Sequence, residues 1–443
     1  MRWLTSEVAA AVGGRVVGDD VMVDSVTQDS REIDPEVGAW MFVPLVAERD
    51  GHDFVPGAVA SGAVASFAAR PVEAGSATVI EVGDTAAALL ELGAAARHRL
   101  EGAAVVGITG SVGKTTTKDF LAAVLHQDRS THANVRSFNN EIGVPLTLLG
   151  APDGAEAVVL EMGARGVGHI SMLCGIARPT LSIVTTVGAA HTSEFGSVEA
   201  VALGKREIIE GLPSAANGGV AVLNSDNPLV AAMAAYTGAR VITFGASGDV
   251  RALDVELDGD LVPSFRLVAP QGEVDVTLGG RGAHLVDNAL AAAAAALALG
   301  VSPQTVADGL LHPQMSPNRM AVHTTAAGAR VIDDSYNANP MSVAAALEAL
   351  AAGPASRRIA VLGLMAELGD EHVAEHERMT SIARAMGIEV IAVDTPEYGE
   401  GALHVADLND AVERLGSIGA GDAVLVKGSR VAGLERLAAR LLG

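Results

Sequence analysis

The run 105–118, VVGITGSVGKTTTK, constrains this chain more than any other segment. It enters through apolar, strand-like residues and carries glycines at Gly107, Gly110 and Gly113. It leaves through Lys114, Thr115, Thr116 and Thr117 into a helix-like stretch. Glycines let backbone N–H groups close around an anion, and a helix start adds a favourable dipole. Gly110, Ser111, Val112 and Gly113 would form the cradle, with Thr116 alongside. Lys114 would reach terminal phosphates, and the Thr115 hydroxyl would ligate Mg2+. The spacing departs from the strict phosphate-loop pattern, because Ile108 stands where a glycine is usual. The loop by itself implies ATP or GTP with Mg2+; the alternative is a glycine-rich turn without a ligand.

The rest of the chain narrows the class. Its 443 residues suffice for two to four domains, and 49% hydrophobic residues allow each a core. A net charge of −23 leaves no broad basic footprint, so nucleic acid is not an expected partner. Aromatics at 3% offer few stacking platforms. The single cysteine, Cys174, excludes an intrachain disulfide and fits a reducing compartment. The N-terminus carries Glu7 and no long apolar core, so no signal peptide is expected. The most apolar run, 289–299, falls short of the ~20 residues that span a bilayer. A cytoplasmic, monomeric protein without membrane insertion is expected.

Three α/β units follow from the pattern. Residues 1–98 form a small mixed unit with strands over 40–44 and 78–82 and a helix over 85–100. Residues 99–312 alternate strands (104–108, 157–161, 181–186, 220–223, 240–244) with helices. That predicts a doubly wound, mostly parallel sheet, plus a β excursion over 248–276 and an alanine-rich helix over 286–299. Residues 313–443 predict a smaller Rossmann-like unit with strands at 331–334, 359–363, 389–393 and 423–427. Ligands in such sheets bind beyond the C-terminal strand ends.

Candidate chemistry falls at those ends. Glu161 closes a buried strand and suits Mg2+, with a helix cap as the bland alternative. His191, in GAAHTSEFGS, becomes a second metal or phosphate contact beside it. Lys205 lies in ALGKREIIEGL, where most lysines are solvated. Asn139 and Asn140 either form turns or donate amides to phosphate. The loop Asp333-Asp334-Ser335-Tyr336-Asn337-Ala338-Asn339-Pro340 is more polar than a turn requires. Arg319 could clamp a phosphate. Lys427-Gly428-Ser429-Arg430 follows a strand, opens a helix and suggests a second anion site. Caps and surface ion pairs are the alternatives.

Together these motifs resemble the Mur ligases, ATP-dependent amide ligases of peptidoglycan precursor synthesis. GITGSVGKTTTK is similar to their GxxGxxGKTxTK signature, and the resemblance runs through all three units. SFNNEIGVPLTLL, VLEMGARGVGHI, DDSYNANPMSVAAAL and VLVKGSRVAGLE are most similar to the branch that adds D-alanyl-D-alanine to UDP-MurNAc-tripeptide. The resemblance implies that Lys114 and Thr115 hold ATP and Mg2+, with Glu161 and His191 as further metal contacts. Lys205 matches a lysine that is often carbamylated and could then ligand metal. Asn288, Arg319 and Asp334 match nucleotide contacts. Asn139 and Asn140 match the region facing the substrate. Ser30 and Arg31, with the segment Asp50-Gly51-His52-Asp53-Phe54, resemble the part that holds UDP. Asn337, Asn339, Lys427 and Ser429 are expected near the dipeptide, in a third unit that closes over the second. Leu364 departs from the acid usual at its position, and Trp40-Met41 from a Leu-Phe pair. Another ligase of the group, or a phosphate-loop ATPase or kinase, is the competing expectation.

Overall fold

The computed structural model describes residues 1–442 apart from 136, 137 and 189–191. Its centre is a six-stranded, wholly parallel sheet. The strand order is Arg240–Phe244, Val220–Asn224, Leu181–Val184, Ala104–Thr109, Ala157–Glu161, Thr131–Ala133. Alternating side chains supply two cores. Val106, Ile108, Val159 and Ile183 face the helices Lys114–His126 and Leu285–Ala298. Val105, Val158, Leu160 and Val184 face the opposite layer. The expected alanine-rich helix is present, and Ala291–Ala296 are wholly buried. Small side chains let it lie close against the sheet and the phosphate-loop helix. The β excursion is a three-stranded antiparallel meander, Arg251–Leu257, Pro263–Ala269 and Gly272–Thr277.

The first unit is a five-stranded sheet with one antiparallel edge, Arg15–Val17 on Thr78–Glu81. Its helix Thr85–Arg99, capped by the Asp84 carboxylate, also packs on the central helices Gly143–Gly150 and His169–Ala177. One apolar core therefore runs from Trp3 and Val8 through Leu89 and Leu92 to Val144 and Leu173. The expected boundary near residue 98 divides the motifs but not this core.

The third unit orders its strands Ala321–Thr324, Arg330–Asp333, Asp422–Lys427, Arg357–Leu362, Glu389–Val393, Leu403–Val405. Only the first pair is antiparallel. Asp422–Lys427, last in sequence, lies between two earlier strands. That placement gathers the loops after 333, 362 and 427 at one end of the sheet. It explains why three motifs far apart in sequence meet.

Gly93 sits where the first unit's helix crosses Pro145; a Cβ there would lie 2.6 Å from Pro145 Cβ and 2.8 Å from its Cα. Alanine ordinarily stabilises a helix interior by about 1 kcal/mol over glycine. Overpacking costs about 1–3 kcal/mol. Gly93→Ala should therefore lower the melting temperature, read by circular dichroism; an unchanged or higher value would show that the two units yield freely here.

Candidate functional site

The glycine loop joins Ala104–Thr109 to Lys114–His126, as its sequence requires. Gly113, at φ +88, is the residue before the helix, and a Cβ there would meet Asn288 Oδ1 at 2.1 Å. Both the left-handed backbone and the close approach demand glycine. The segment 185–188 braces the loop from behind. Thr185 Oγ1 donates to Val112 O at 2.6 Å, and Ser111 N donates to Thr186 O at 2.8 Å. Lys114 Nζ folds back and donates to Gly110 O at 2.7 Å. Thr116 is buried in the first helical turn.

Glu161 ends the neighbouring strand and is 2% exposed. Thr115 Oγ1 donates to its Oε2 at 2.6 Å, and Asn139 Nδ2 to its Oε1 at 2.8 Å. Asn134, just past the edge strand, accepts from Glu161 N at 2.9 Å. Burial holds the Lys114 ammonium below its usual range; Glu161 opposes that shift, Arg319 adds to it and Glu367 opposes it. Lys205 is 2% exposed, contrary to the usual solvated lysine. Burial pushes its amine well below the ordinary range, and Lys114 pushes the same way. His191 lies outside the described residues, so the structure describes no arrangement for it.

The third unit reaches this site. Met341, in the first turn of Pro340–Ala352, packs so closely on Gly188 that a Cβ there would fall 2.3 Å from its sulfur. Arg330 pairs with Asp260 of the central meander at 3.0 Å. The connecting segment is tied to the phosphate-loop helix by a buried network. Asp119 accepts from Ser316 N at 2.8 Å and Ser316 Oγ at 3.1 Å. It also pairs with Lys118 at 2.9 Å, and Lys118 donates to Asn134 O. Arg319, three residues beyond Ser316, stacks on the Tyr336 ring at 4.3 Å, and Arg430 approaches the same ring at 5.8 Å.

Similarity to known proteins fits this geometry. The Mur ligase middle domain matches residues 108–296, and the Mur ligase glutamate ligase domain matches residues 318–430. The UDP-N-acetylmuramoyl-tripeptide–D-alanyl-D-alanine ligase of Mycobacterium tuberculosis is 39% identical over 99% of this chain and 97% of its own length. The Escherichia coli enzyme of the same name is 36% identical over 98% and 96%. The chain belongs to the Mur ligase family. Its fold is similar to a crystal structure of MurF from Acinetobacter baumannii, with TM-score 0.89, 30% identity and coverage of 100% and 99%. A MurF ligase from Thermotoga maritima in complex with ADP superposes with TM-score 0.79 at 29% identity, covering 94% and 96%.

Several residues expected to touch ligands in this Mur ligase also bond within the protein. Asn140 Oδ1 accepts from Gly143 N at 3.0 Å, at the start of the helix Gly143–Gly150, whereas Asn139 faces Glu161. Asn339 caps Pro340–Ala352, and Asn337 is exposed. Lys427, expected in an anion site, pairs with Asp334 at 2.5 Å and donates to Asn337 O at 2.8 Å. Ser429 donates to Ala338 O and accepts from Ala366 N. The stretch after Lys427 is a short 3-10 turn, Arg430–Ala432, rather than a helix; Glu435–Leu442 follows it. Asn288 donates to His284 O and buttresses Gly113. In the first unit, Ser30 begins a 3-10 turn and the exposed Arg31 pairs with Asp29 at 2.6 Å. Asp50 bonds the buried His52 and Arg70. Asn134 and Asp119 carry no motif in the sequence, while Lys118 closes the glycine-loop signature without its pairing to Asp119 being legible there. Adjacent opposite charges in a helix suggest solvated positions, so no local signal marked the pair.

Removing Asp119 strips Lys118 of its carboxylate and leaves Ser316 N–H without its acceptor. Breaking a buried pair costs about 3–5 kcal/mol. Asp119→Ala should lower the melting temperature markedly and Asp119→Asn less; equal melting of all three proteins would show that the tie carries no load.

Lys205 gives a prediction with a definite sign. Its folded value lies below the ordinary value near 10.5, so between the two the unfolded chain binds the extra proton and stability rises with pH. In CO2-free buffer Lys205→Met should melt higher than the parent at pH 7. The gain should narrow as pH approaches 10; a gain that widens would contradict a neutral buried amine.

Proposed function

We propose that this chain is an ATP-dependent amide ligase that joins D-alanyl-D-alanine to the terminal carboxylate of UDP-MurNAc-tripeptide, giving UDP-MurNAc-pentapeptide, ADP and phosphate. One geometric observation carries the reading. The first turn after the phosphate loop donates from Thr115 Oγ1 to the buried Glu161 carboxylate, and Met341 of a separate α/β unit packs on Gly188 of the segment that braces the same loop. A carboxylate has no good leaving group, so amide formation needs it activated first. Transfer of the γ-phosphoryl group to the tripeptide carboxylate gives an acyl phosphate, which the dipeptide amine then attacks with release of phosphate. End-to-end similarity to ligases named for this substrate pair supports the choice of acceptor.

The residues divide the work. Backbone N–H groups of 110–113 and the Lys114 ammonium hold and stabilise the transferring phosphates. Thr115 and Glu161 fit a hard cation such as Mg2+. Both offer oxygen, the donor type such a cation takes. A site with few protein ligands suits Mg2+, which keeps several waters and binds substrate phosphates. Mg2+ bound there would supply neutralisation of phosphate charge. Asn139 orients Glu161, and Arg319 brings a further positive charge from the connecting segment. Lys205, with its proton readily lost, is suited to add CO2, which would turn a cation into an anion beside Lys114. His191 is assigned to this cluster on resemblance alone. The third unit keeps water from the acyl phosphate by covering the loop.

The test is phosphate release from Mg-ATP with UDP-MurNAc-tripeptide and D-alanyl-D-alanine supplied singly and together. Release only with both, and a pentapeptide product by mass, is expected. Release with neither would point to an ATPase. Transfer that ignores the dipeptide would point to another ligase or a kinase.

A further inference from the structure

The run that follows Glu161, MGARGVGHI, holds an arginine to which the ligase chemistry gives no part. Arg165 stands four residues past Glu161, between the strand Ala157–Glu161 and the helix His169–Ala177. Its loop is pinned at both ends. Gly163 N donates to Asn139 O at 2.8 Å, and the Asn139 side chain donates to the Glu161 carboxylate. Gly168 N and Ser171 N both donate to the buried Glu207 carboxylate. Glu207 thus occupies the start of the helix, which is not left open for an anion. Between these pins Gly166 O lies against Gly204, where a Cβ would stand 3.7 Å from it. Gly204 adjoins Lys205 on the helix Val198–Glu210. The loop therefore bridges from the Glu161 carboxylate to the helix that carries Lys205.

Arg165 is exposed on this bridge. Its main-chain N–H faces His169 Nδ1 at 3.4 Å, and among the described residues no carboxylate or carbonyl holds its guanidinium. The chain has 53 Asp and Glu against 30 Lys and Arg, so acids to pair it are plentiful. Its place distinguishes it from a solvated surface arginine. Apolar side chains are exposed on the same pieces of chain: Phe138 beside Asn139, Val167 on the loop and Leu203 beside Gly204. An apolar rim around a guanidinium suits a peptide that carries negative charge. Phosphoryl transfer to a peptide carboxylate also gathers anions beside Glu161, and a further carboxylate on that peptide needs a cation not committed to phosphate.

We propose that Arg165 binds a carboxylate of the acceptor peptide other than the one that is phosphorylated. Its planar fork takes such a group through two parallel hydrogen bonds. Arg165 is then a specificity residue: it selects acceptors by a second negative charge. That charge comes from the third side chain of the tripeptide or from an earlier residue; the recognition chemistry is the same. The inference rests on the ligase reading.

The test reads binding of UDP-MurNAc-tripeptide to the full chain by calorimetry, with Mg2+ and a non-hydrolysable ATP analogue present. Two tripeptides are compared. One has 2,6-diaminopimelate as its third residue, whose side chain bears a carboxylate; the other has lysine, whose side chain bears none. Arg165→Ala should weaken tripeptide binding roughly 10- to 100-fold. Arg165→Lys keeps the charge without the fork and should recover part of the loss. Melting temperature and affinity for the ATP analogue should match the parent in both variants. A loss confined to the diaminopimelate peptide supports the proposal and assigns the group to the third side chain. An equal loss with both peptides supports it and assigns the group to an earlier residue. Unchanged tripeptide affinity in Arg165→Ala overturns the proposal. So does an equal loss of affinity for the ATP analogue, or a Lys variant as weak as Ala. A parent that binds the peptides but forms no amide would defeat the ligase reading and leave this comparison intact.

Discussion

A carboxylate kept almost out of water is the constraint on which the site depends. A buried polar group there needs hydrogen-bond donors fixed by the fold, because burial without them costs free energy. Glu161 obtains two, while a third residue accepts from its main-chain N–H. Thr115 comes from the first turn after the glycine loop, Asn139 from the segment before Gly143–Gly150, and Asn134 holds the main chain. Each donor sits at the C-terminal edge of the same parallel sheet. The sheet's register therefore sets the distance between phosphate loop and carboxylate: Glu161 pairs with Ile108, one residue before the strand Ala104–Thr109 ends.

The third unit adds a second layer of constraint. Its own loops are stitched together before they meet the centre. Lys427 holds Asp334, Ser429 holds the 363–369 segment, and Asn339 caps the helix that carries Met341. These polar groups stiffen the end of the unit that faces the phosphate loop. A rigid rim can exclude water from a reactive acyl group, whereas loose loops would admit it.

What the sequence disclosed follows from what is local. The strands 104–108 and 157–161 were legible because a parallel sheet buried on both faces needs continuous apolar runs. Gly113 and Glu161 were legible because they end such runs. The burial of Lys205 was not: its neighbours in sequence look like a solvated helix, and only the packing of Val198–Glu210 beneath the loop turns it inward. The roles of Asn140, Asn339 and Ser429 were ambiguous for a similar reason. A short polar side chain at a loop end serves a helix cap as readily as a ligand. The buried bonding of Lys118 and Asp119 was not legible because their partners, Asn134 and Ser316, are 16 and 197 residues away in the chain.

That last pair also sets the mechanics of the molecule. Asp119 lies five residues after Lys114 on one helix, about 7 Å along its axis. Ser316, fastened there, is the point from which the third unit departs. Rotation about such an anchor has a short lever arm at the phosphate loop and a long one at the far edge strand Leu403–Val405. Large swings at the periphery then translate into small displacements beside Arg319. On such a lever the guanidinium of Arg319, three residues past the anchor, would shift far less than the periphery of its own unit.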